Sequence, residues 1–113
     1  MDQQCIFCRI ISGEIPATHV LETAQAIAIR DINPQAPTHV LVLPREHVPQ
    51  VDQVPADGAT WNALLDAVQQ VVRQEGLTDG YRLVINSGAL GGQTVAHLHI
   101  HVLGGRQMHW PPG

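Results

Sequence analysis

Residues 97–102 read HLHIHV, so that three histidines alternate with three aliphatic residues. The side chains of a β-strand point alternately to its two faces, and a strand here would place His97, His99 and His101 on one face. The aliphatic residues would share the other face, where they can pack against a helix. Because buried imidazoles need hydrogen-bond partners, the histidine face must meet solvent, a ligand, a metal ion or other polar groups.

The apolar pattern of the rest of the chain predicts an α+β fold with a largely antiparallel sheet. Residues 5–12, CIFCRIIS, predict one or two helical turns before Gly13. Short runs of β-branched and aliphatic residues follow, and their short connections favour antiparallel neighbours. These runs predict strands at 19–22, 26–30, 39–44 and 81–86, in addition to the histidine strand.

One long helix is predicted between Asp57 and Gly76. Large apolar residues recur there at spacings of three and one, which places them on a single stripe of the helix. Gly76 is well placed to end it. The residues of the stripe are Trp61, Leu64, Leu65, Val68, Val71 and Val72.

Length and composition indicate a single globular domain over residues 1–113. Hydrophobic residues make up 44% of the chain and charged residues 14%, which is typical of a folded protein. The net charge of −4 argues against partners such as nucleic acid or an anionic membrane surface. We see neither a signal peptide nor a bilayer-spanning stretch, so we expect a cytoplasmic protein with reduced cysteines.

Two chemistries suit three imidazoles in strict alternation. Imidazoles two residues apart on a strand can converge on one zinc ion. They can instead serve as nucleophile, acid and base, since the ordinary imidazole pKa of about 6.5 lies near neutrality. A plain surface or core role explains a single histidine well but three of them poorly.

A glycine-rich loop before the histidine strand favours the second chemistry. Gly91 and Gly92 would let main-chain N–H groups approach an anion. Thr94 would add a hydroxyl group and Asn86 an amide. Although the loop lacks the Gly-Lys-Ser/Thr ending of a P-loop, it predicts a phosphate site that faces the imidazoles.

These motifs together resemble the histidine triad family. HLHIHV is similar to its His-φ-His-φ-His-φ signature, where φ is apolar, and CIFCRIISGEIPA, RDINPQAPTHVLVLP and GGRQMHWPPG extend the similarity to the Hint branch of nucleotide-binding proteins. The resemblance implies a five-stranded antiparallel sheet with one long and one short helix, and a homodimer with a continuous ten-stranded sheet. It also implies hydrolysis of purine nucleoside phosphoramidates, of the adenosine 5′-monophosphoramidate type, through a covalent nucleotidyl-histidine.

The family's catalytic roles carry over by motif position. The resemblance makes His99 the nucleophile, and it makes His101 and His39 the proton relay to the leaving amine, with no cofactor required. His97 would orient His99, largely through its main-chain carbonyl. Asp31 would bind the ribose hydroxyls, which suits a carboxylate that accepts two hydrogen bonds.

The remaining nucleotide contacts are implied in the same way, for a purine nucleoside monophosphate or phosphoramidate. Three positions depart from the family pattern: Thr94 replaces the usual serine, Ile29 replaces an aromatic residue beside the base, and Ala96 is smaller than usual beside the three histidines. Four apolar residues match the positions around the base, although by themselves they would indicate ordinary packing in the hydrophobic core. The implied contacts are Ile32, Asn86, Gly92, Gln93, Thr94, Val95 and Trp110, with Phe7, Ile10, Ile15 and Ile29 around the base.

Cys5 and Cys8 form a C-x2-C pair, which alone is a weak signal. It fits two reduced thiols on a short helix equally well. Several bacterial members of the histidine triad family that resemble this chain bind zinc through such a cysteine pair and two histidines. The resemblance therefore implies a structural Cys2His2 zinc site made of Cys5, Cys8, His47 and His97.

The C-terminal tail, residues 106–113, contains Trp110 among polar and proline residues. The resemblance implies that this tail docks on the partner subunit near its active site. Two other functions remain open from the sequence. One is a nucleotide-binding scaffold with vestigial catalysis, and the other is a metallohydrolase whose ligands are His97, His99 and His101.

Overall fold

The computed structural model describes residues 4–113 and contains a five-stranded antiparallel sheet, one short helix and one long helix. The predicted α+β fold is therefore confirmed. The strands are β1 (His19–Glu22), β2 (Ala26–Arg30), β3 (Thr38–Pro44), β4 (Tyr81–Val84) and β5 (Ile100–Gly104). The helices are α1 (Ile6–Ile11) and α2 (Ala59–Gln74), with a 3-10 turn at Val51–Gln53.

The strands lie in the order β1-β2-β3-β5-β4, and every neighbouring pair is antiparallel. The central strand β3 is buried along almost its whole length, because each face of the sheet is covered by a helix. β4 is an edge strand. Within residues 4–113 no helix has the length and apolar character needed to cross a membrane.

Helix α2 covers one face of the sheet and forms the larger core. Leu64, Val68 and Val71 are buried there as predicted, together with Ala67, which the stripe omitted. Leu65 was predicted on the same stripe, but its side chain is 49% exposed. Its position lies one residue, or about 100°, beyond Leu64 around the helix, so it turns away from the sheet.

Helix α1 covers the opposite face, where the histidines lie. Phe7 packs edge-on against the rings of His97 and His99, with centroid distances of 5.9 and 5.0 Å. His97 and His99 are consequently buried, with 0% and 6% exposure. The short helix thus closes over a face that the strand pattern left open to solvent or ligand.

The last two strands are shorter than their apolar patterns suggested. β4 ends at Val84, and β5 begins only at Ile100, so His97 and His99 precede the paired strand. The segment still alternates, since Leu98 and Ile100 enter the α2 core while His97 faces α1. Leu98 N–H donates to the carbonyl of Val48 instead of to a neighbouring strand, at 2.7 Å.

Candidate active site and thiol cluster

His99 is held in one orientation by a short hydrogen bond to the main chain. Its Nδ1 lies 2.7 Å from the carbonyl oxygen of His97, two residues earlier. A carbonyl oxygen only accepts, so Nδ1 carries the ring hydrogen and Nε2 keeps its lone pair. The ring lines a cavity of about 370 Å³. His99 therefore presents an unprotonated nitrogen to a site large enough for a ligand.

His39 and His101 form a second imidazole unit beside it. Leu41 pairs with His101 across β3 and β5, which puts His39 and His101 diagonally opposite each other on the same sheet face. The Nε2 of His39 lies 2.9 Å from Nδ1 of His101. The other nitrogen of His101, Nε2, is buried and has no partner among residues 4–113. Because a buried polar atom without a partner is unfavourable, we expect a ligand atom to bind this nitrogen.

Asp31 follows β2 and also borders this unit. One carboxylate oxygen, Oδ1, accepts a hydrogen bond from Asn33 N–H at 2.8 Å. The other, Oδ2, lies 3.4 Å from Nε2 of His39. Asp31 lines the same cavity as His99 and His101. One carboxylate therefore reaches both the cavity and the histidine pair.

The cavity gathers most of the residues predicted around a nucleotide. Its apolar wall comes from α1, the following turn, the end of β2 and the middle of β3. Ile6, Pro16, Ala17 and Leu41 also line it, and these ordinary-looking apolar residues carried no motif that could identify them. The predicted residues that line it are Phe7, Ile10, Ile15, Ile29, Asp31, Ile32, Thr94, Val95, His99 and His101.

The glycine-rich loop differs from the predicted phosphate site. The N–H groups of Gly91 and Gly92 donate to the carbonyls of Gly88 and Ala89, at 3.1 Å each, because the loop closes on itself in tight turns. These two amides are therefore engaged within the loop, and their contact with a phosphate stays a prediction. By contrast, the N–H groups of Thr94 and Val95 have no acceptor within the described chain.

Gln93 supports this loop with its side chain. Its Oε1 accepts from Gly88 N–H at 2.9 Å, and its Nε2 donates to the carbonyls of Pro49 and Val95 at 2.7 and 2.9 Å. The carboxamide is thus occupied by the main chain, and the nucleotide contact of Gln93 stays a prediction. Asn86 and Gly92, also predicted as contacts, lie in the same segment but not in the cavity wall.

The two cysteines meet two histidines on the far side of His97. Cys5 and Cys8 Sγ lie 3.4 and 3.6 Å from Nδ1 of His97, and Cys8 Sγ lies 3.2 Å from Nδ1 of His47. All four ligand atoms are within 4.8 Å of one another. The structure therefore assembles the four residues that the family resemblance grouped.

The chemistry of this cluster fits a zinc ion. Zn–S bonds of about 2.3 Å and Zn–N bonds of about 2.05 Å in a tetrahedron place sulfur and nitrogen about 3.6 Å apart, close to the spacings here. The Nε2–H of His97 donates to the carbonyl of Pro44 at 2.8 Å, which leaves Nδ1 unprotonated for a metal. No sequence pattern could indicate that Pro44 orients His97, because it does so through its main-chain carbonyl.

The three triad rings do not converge on one point. His97 turns its Nδ1 to the thiols, whereas His99 and His101 face the cavity. The hypothesis of a single metal ion held by these three histidines is therefore wrong.

Trp110 does not line the cavity of its own chain and is 82% exposed. The tail before it is held by Arg82, whose Nη2 donates to the carbonyl of His109 at 2.8 Å. Arg106, at the start of the tail, donates from Nε to the carbonyl of Gln35 at 3.0 Å.

The sequence model of the HIT domain matches residues 12–108. The chain belongs to the HIT family. It is 49% identical to a 14 kDa zinc-binding protein of Zea mays, over 99% of this chain and 90% of that protein. Its fold superposes on a HIT family hydrolase of Legionella pneumophila with a TM-score of 0.91, at 50% identity, covering 96% of this chain and 99% of the other. A histidine triad nucleotide-binding protein of Candida albicans gives a TM-score of 0.83 at 32% identity, covering 95% and 82%.

Burial keeps the imidazoles of this HIT site neutral. Desolvation, the largest cause, and the neighbouring His99 and His39 together lower the pKa of His101 from 6.5 to about 4, against the opposing effect of Asp31. Desolvation also lowers the pKa values of His39 and His99. At neutral pH the rings therefore act through their lone pairs and single N–H groups rather than as cations.

The lowered pKa of His101 predicts a loss of stability in acid. Between pH 6.5 and about 4 the unfolded chain binds a proton at this residue that the folded chain does not. The stability that the folded chain gains from a neutral His101 is therefore complete above pH 6.5 and is lost as the pH drops towards 4. In His101→Asn, the free energy of unfolding, measured by urea denaturation from pH 7 to pH 4.5, should fall less steeply with pH than in the wild type. The difference between the two slopes should correspond to at most about one bound proton. Equal slopes in both proteins would contradict a buried neutral His101.

Proposed function

We propose that this HIT protein hydrolyses purine nucleoside phosphoramidates, of the adenosine 5′-monophosphoramidate type, through a nucleotide bound covalently to His99. The observation that carries the proposal is the hydrogen bond of His99 Nδ1 to the carbonyl of His97. It leaves Nε2 as a neutral nucleophile at the cavity, next to the unpartnered Nε2 of His101.

The first step transfers the nucleotide to the enzyme. The lone pair of His99 Nε2 forms a bond to phosphorus as the P–N bond of the substrate breaks. The leaving nitrogen keeps the electron pair of that bond and takes a proton from the His39–His101 pair, through His101 Nε2. The carbonyl of His97 stabilises the positive charge that develops on the His99 ring, because it accepts the Nδ1 hydrogen.

The second step releases the nucleoside monophosphate. Water forms the new bond to phosphorus, the bond between phosphorus and His99 Nε2 breaks, and His99 recovers its lone pair. The His39–His101 pair accepts a proton from the water. Over the two steps the pair gives one proton and receives one, so the enzyme ends as it began.

The cavity supports a nucleoside as the ligand. The apolar wall of Phe7, Ile10 and Ile29 suits a flat base, and Asp31 Oδ2 is positioned to accept from ribose hydroxyls. The free N–H groups of Thr94 and Val95 suit the phosphoryl oxygens. The relative from Candida albicans, by its name a nucleotide-binding protein, supports the same ligand class.

A metal-dependent hydrolase is the weaker alternative. Asp31, His39 and His101 lie close enough to hold an ion. However, the N–H of Gln35 donates to Nδ1 of His39 at 3.0 Å, so Nε2 of a neutral His39 carries its hydrogen and has no lone pair for a metal. A scaffold with vestigial catalysis is also disfavoured, since the imidazoles retain a reactive arrangement.

The covalent step predicts a nucleotidyl adduct. On rapid mixing with an adenosine phosphoramidate, intact-mass analysis of the wild-type protein should show the added nucleotidyl group. His99→Ala should show none and should lose at least ~10³-fold in kcat, while nucleotide binding is retained. His19→Ala removes an exposed histidine of β1, away from the cavity, and should behave as wild type. Turnover without an adduct in folded His99→Ala would refute the mechanism.

We further propose that Cys5, Cys8, His47 and His97 hold a structural zinc ion. The fit of the four ligand atoms supports this, as does the name of the 49% identical maize relative, a zinc-binding protein. A bound zinc would link α1 to the segment before β5 and stabilise the closed sheet face. It would stand behind His97, on the side away from the cavity.

The zinc proposal predicts one equivalent of metal in protein purified without chelator. Elemental analysis should find zinc in the wild type and little in Cys8→Ser. The apo protein should unfold at a lower temperature than the zinc-loaded protein. A Cys8→Ser variant should have the same melting temperature with and without added zinc. Metal-free wild-type protein with undiminished stability would contradict the site.

We also propose the homodimer with a continuous ten-stranded sheet. The edge strand β4 exposes Tyr81 and Leu83, which are 46% and 40% accessible in the single chain. Pairing of two β4 edges would cover these side chains and satisfy the edge main chain. The exposed ring of Trp110 would then reach the partner's cavity.

The tail proposal predicts a change in leaving-group preference. Truncation after Gln107 removes Trp110 but keeps the bond of Arg106 to Gln35. We expect the relative kcat/KM for several phosphoramidates to change, because the ring would contact the leaving group, while the melting temperature changes little. Trp110→Ala should reproduce the effect. A dimer with an unchanged specificity profile would show that the tail only packs.

A further inference from the structure

The hydrogen positions on His39 and His101 follow from one main-chain amide. The N–H of Gln35 donates to Nδ1 of His39 at 3.0 Å. A nitrogen that accepts a hydrogen bond carries no hydrogen, and a neutral imidazole has only one N–H. The hydrogen of His39 is therefore on Nε2. The carboxylate oxygen of Asp31, 3.4 Å from Nε2, favours the same arrangement because it attracts N–H and repels a lone pair.

The same reasoning shows which nitrogen of His101 carries the hydrogen. The Nε2–H of His39 faces Nδ1 of His101 at 2.9 Å, so that Nδ1 accepts. The hydrogen of a neutral His101 is then on Nε2, the buried atom that has no partner among residues 4–113. Burial keeps His101 neutral at pH 7, since it lowers its pKa to about 4.

We infer that Gln35 is a positioning residue whose main-chain N–H fixes the tautomer of His101, so that His101 presents a hydrogen-bond donor to the leaving group. Without this N–H, His39 could carry its hydrogen on Nδ1, and His101 would then turn a lone pair to the cavity. The catalytic consequence rests on the proposed function, but the tautomer itself does not.

Gln35 is held on both sides by named contacts. Arg106 Nε–H donates to its carbonyl at 3.0 Å, and its own Nε2 donates to the carbonyl of Asn33 at 3.0 Å. Asn33 N–H is in turn bound to Asp31 Oδ1 at 2.8 Å. The turn between β2 and β3 therefore aims one amide at His39, and Arg106 of the tail secures it.

The tautomers can be read directly by NMR on the 15N-labelled full-length wild-type protein at pH 7. We expect a coupling through the hydrogen bond between the amide nitrogen of Gln35 and Nδ1 of His39, and a second between Nε2 of His39 and Nδ1 of His101. The imidazole shifts of His101 should place its hydrogen on Nε2. A hydrogen on Nδ1 of either ring would overturn the inference, whatever the protein's activity.

A pair of variants separates the amide from the side chain. Gln35→Pro removes the N–H, whereas Gln35→Ala keeps it and removes only the carboxamide. The Nε2–H signal of His101 should persist in Gln35→Ala and give way to a tautomer mixture in Gln35→Pro. An unchanged tautomer in folded Gln35→Pro would overturn the inference. If that variant does not fold, the couplings in the wild type decide.

The catalytic consequence predicts a dependence on the leaving group. Relative to Gln35→Ala, Gln35→Pro should lose about tenfold or more in kcat for an alkylamine, which must be protonated, and less than about threefold for p-nitrophenolate, which leaves as an anion. Equal losses for both would overturn the role in leaving-group protonation. Absence of turnover in the wild type would instead refute the proposed function and leave the tautomer result standing.

Discussion

The hydrogen bond between His99 Nδ1 and the carbonyl of His97 is the contact on which the site depends. It joins residues two apart, so both rings must lie on one face of the segment. That segment is held by β5, which continues from Ile100, and by burial of Leu98 in the α2 core. Helix α1 then covers the rings and removes the water that would compete for the carbonyl.

His97 connects two parts of the molecule through different atoms. Its carbonyl orients His99, its Nε2–H is bound to the carbonyl of Pro44, and its Nδ1 faces the thiols of Cys5 and Cys8. The residue can therefore serve the thiol cluster and the cavity at once without conflict. Any change in the cluster that moves the His97 main chain would also move the nitrogen that His99 presents.

The site operates with neutral histidines because it is buried. Burial lowers the pKa values of His39, His99 and His101, so that lone pairs remain available near neutral pH. Each ring must then have its single hydrogen on the correct nitrogen, and neighbouring main-chain groups decide which one that is. In this HIT fold, two peptide groups, the carbonyl of His97 and the amide of Gln35, set the hydrogens of the His39, His99 and His101 rings.

The amino-acid sequence by itself determined the fold class, the antiparallel sheet and the alternation of the histidines, which follow from local periodicity and need no knowledge of distant contacts. The grouping of Cys5, Cys8, His47 and His97 came from the family resemblance, because the C-x2-C pair alone is a weak signal. Tertiary structure alone decided that Leu65 faces outward, that α1 covers the histidine face and that β5 starts at Ile100. It also decided that the amides of Gly91 and Gly92 bond within their own loop and that the Gln93 side chain bonds to the main chain of Gly88, Val95 and the distant Pro49. The physical reason is that main-chain N–H and carbonyl groups are the same in every residue, so that only the folded chain shows which of them meet.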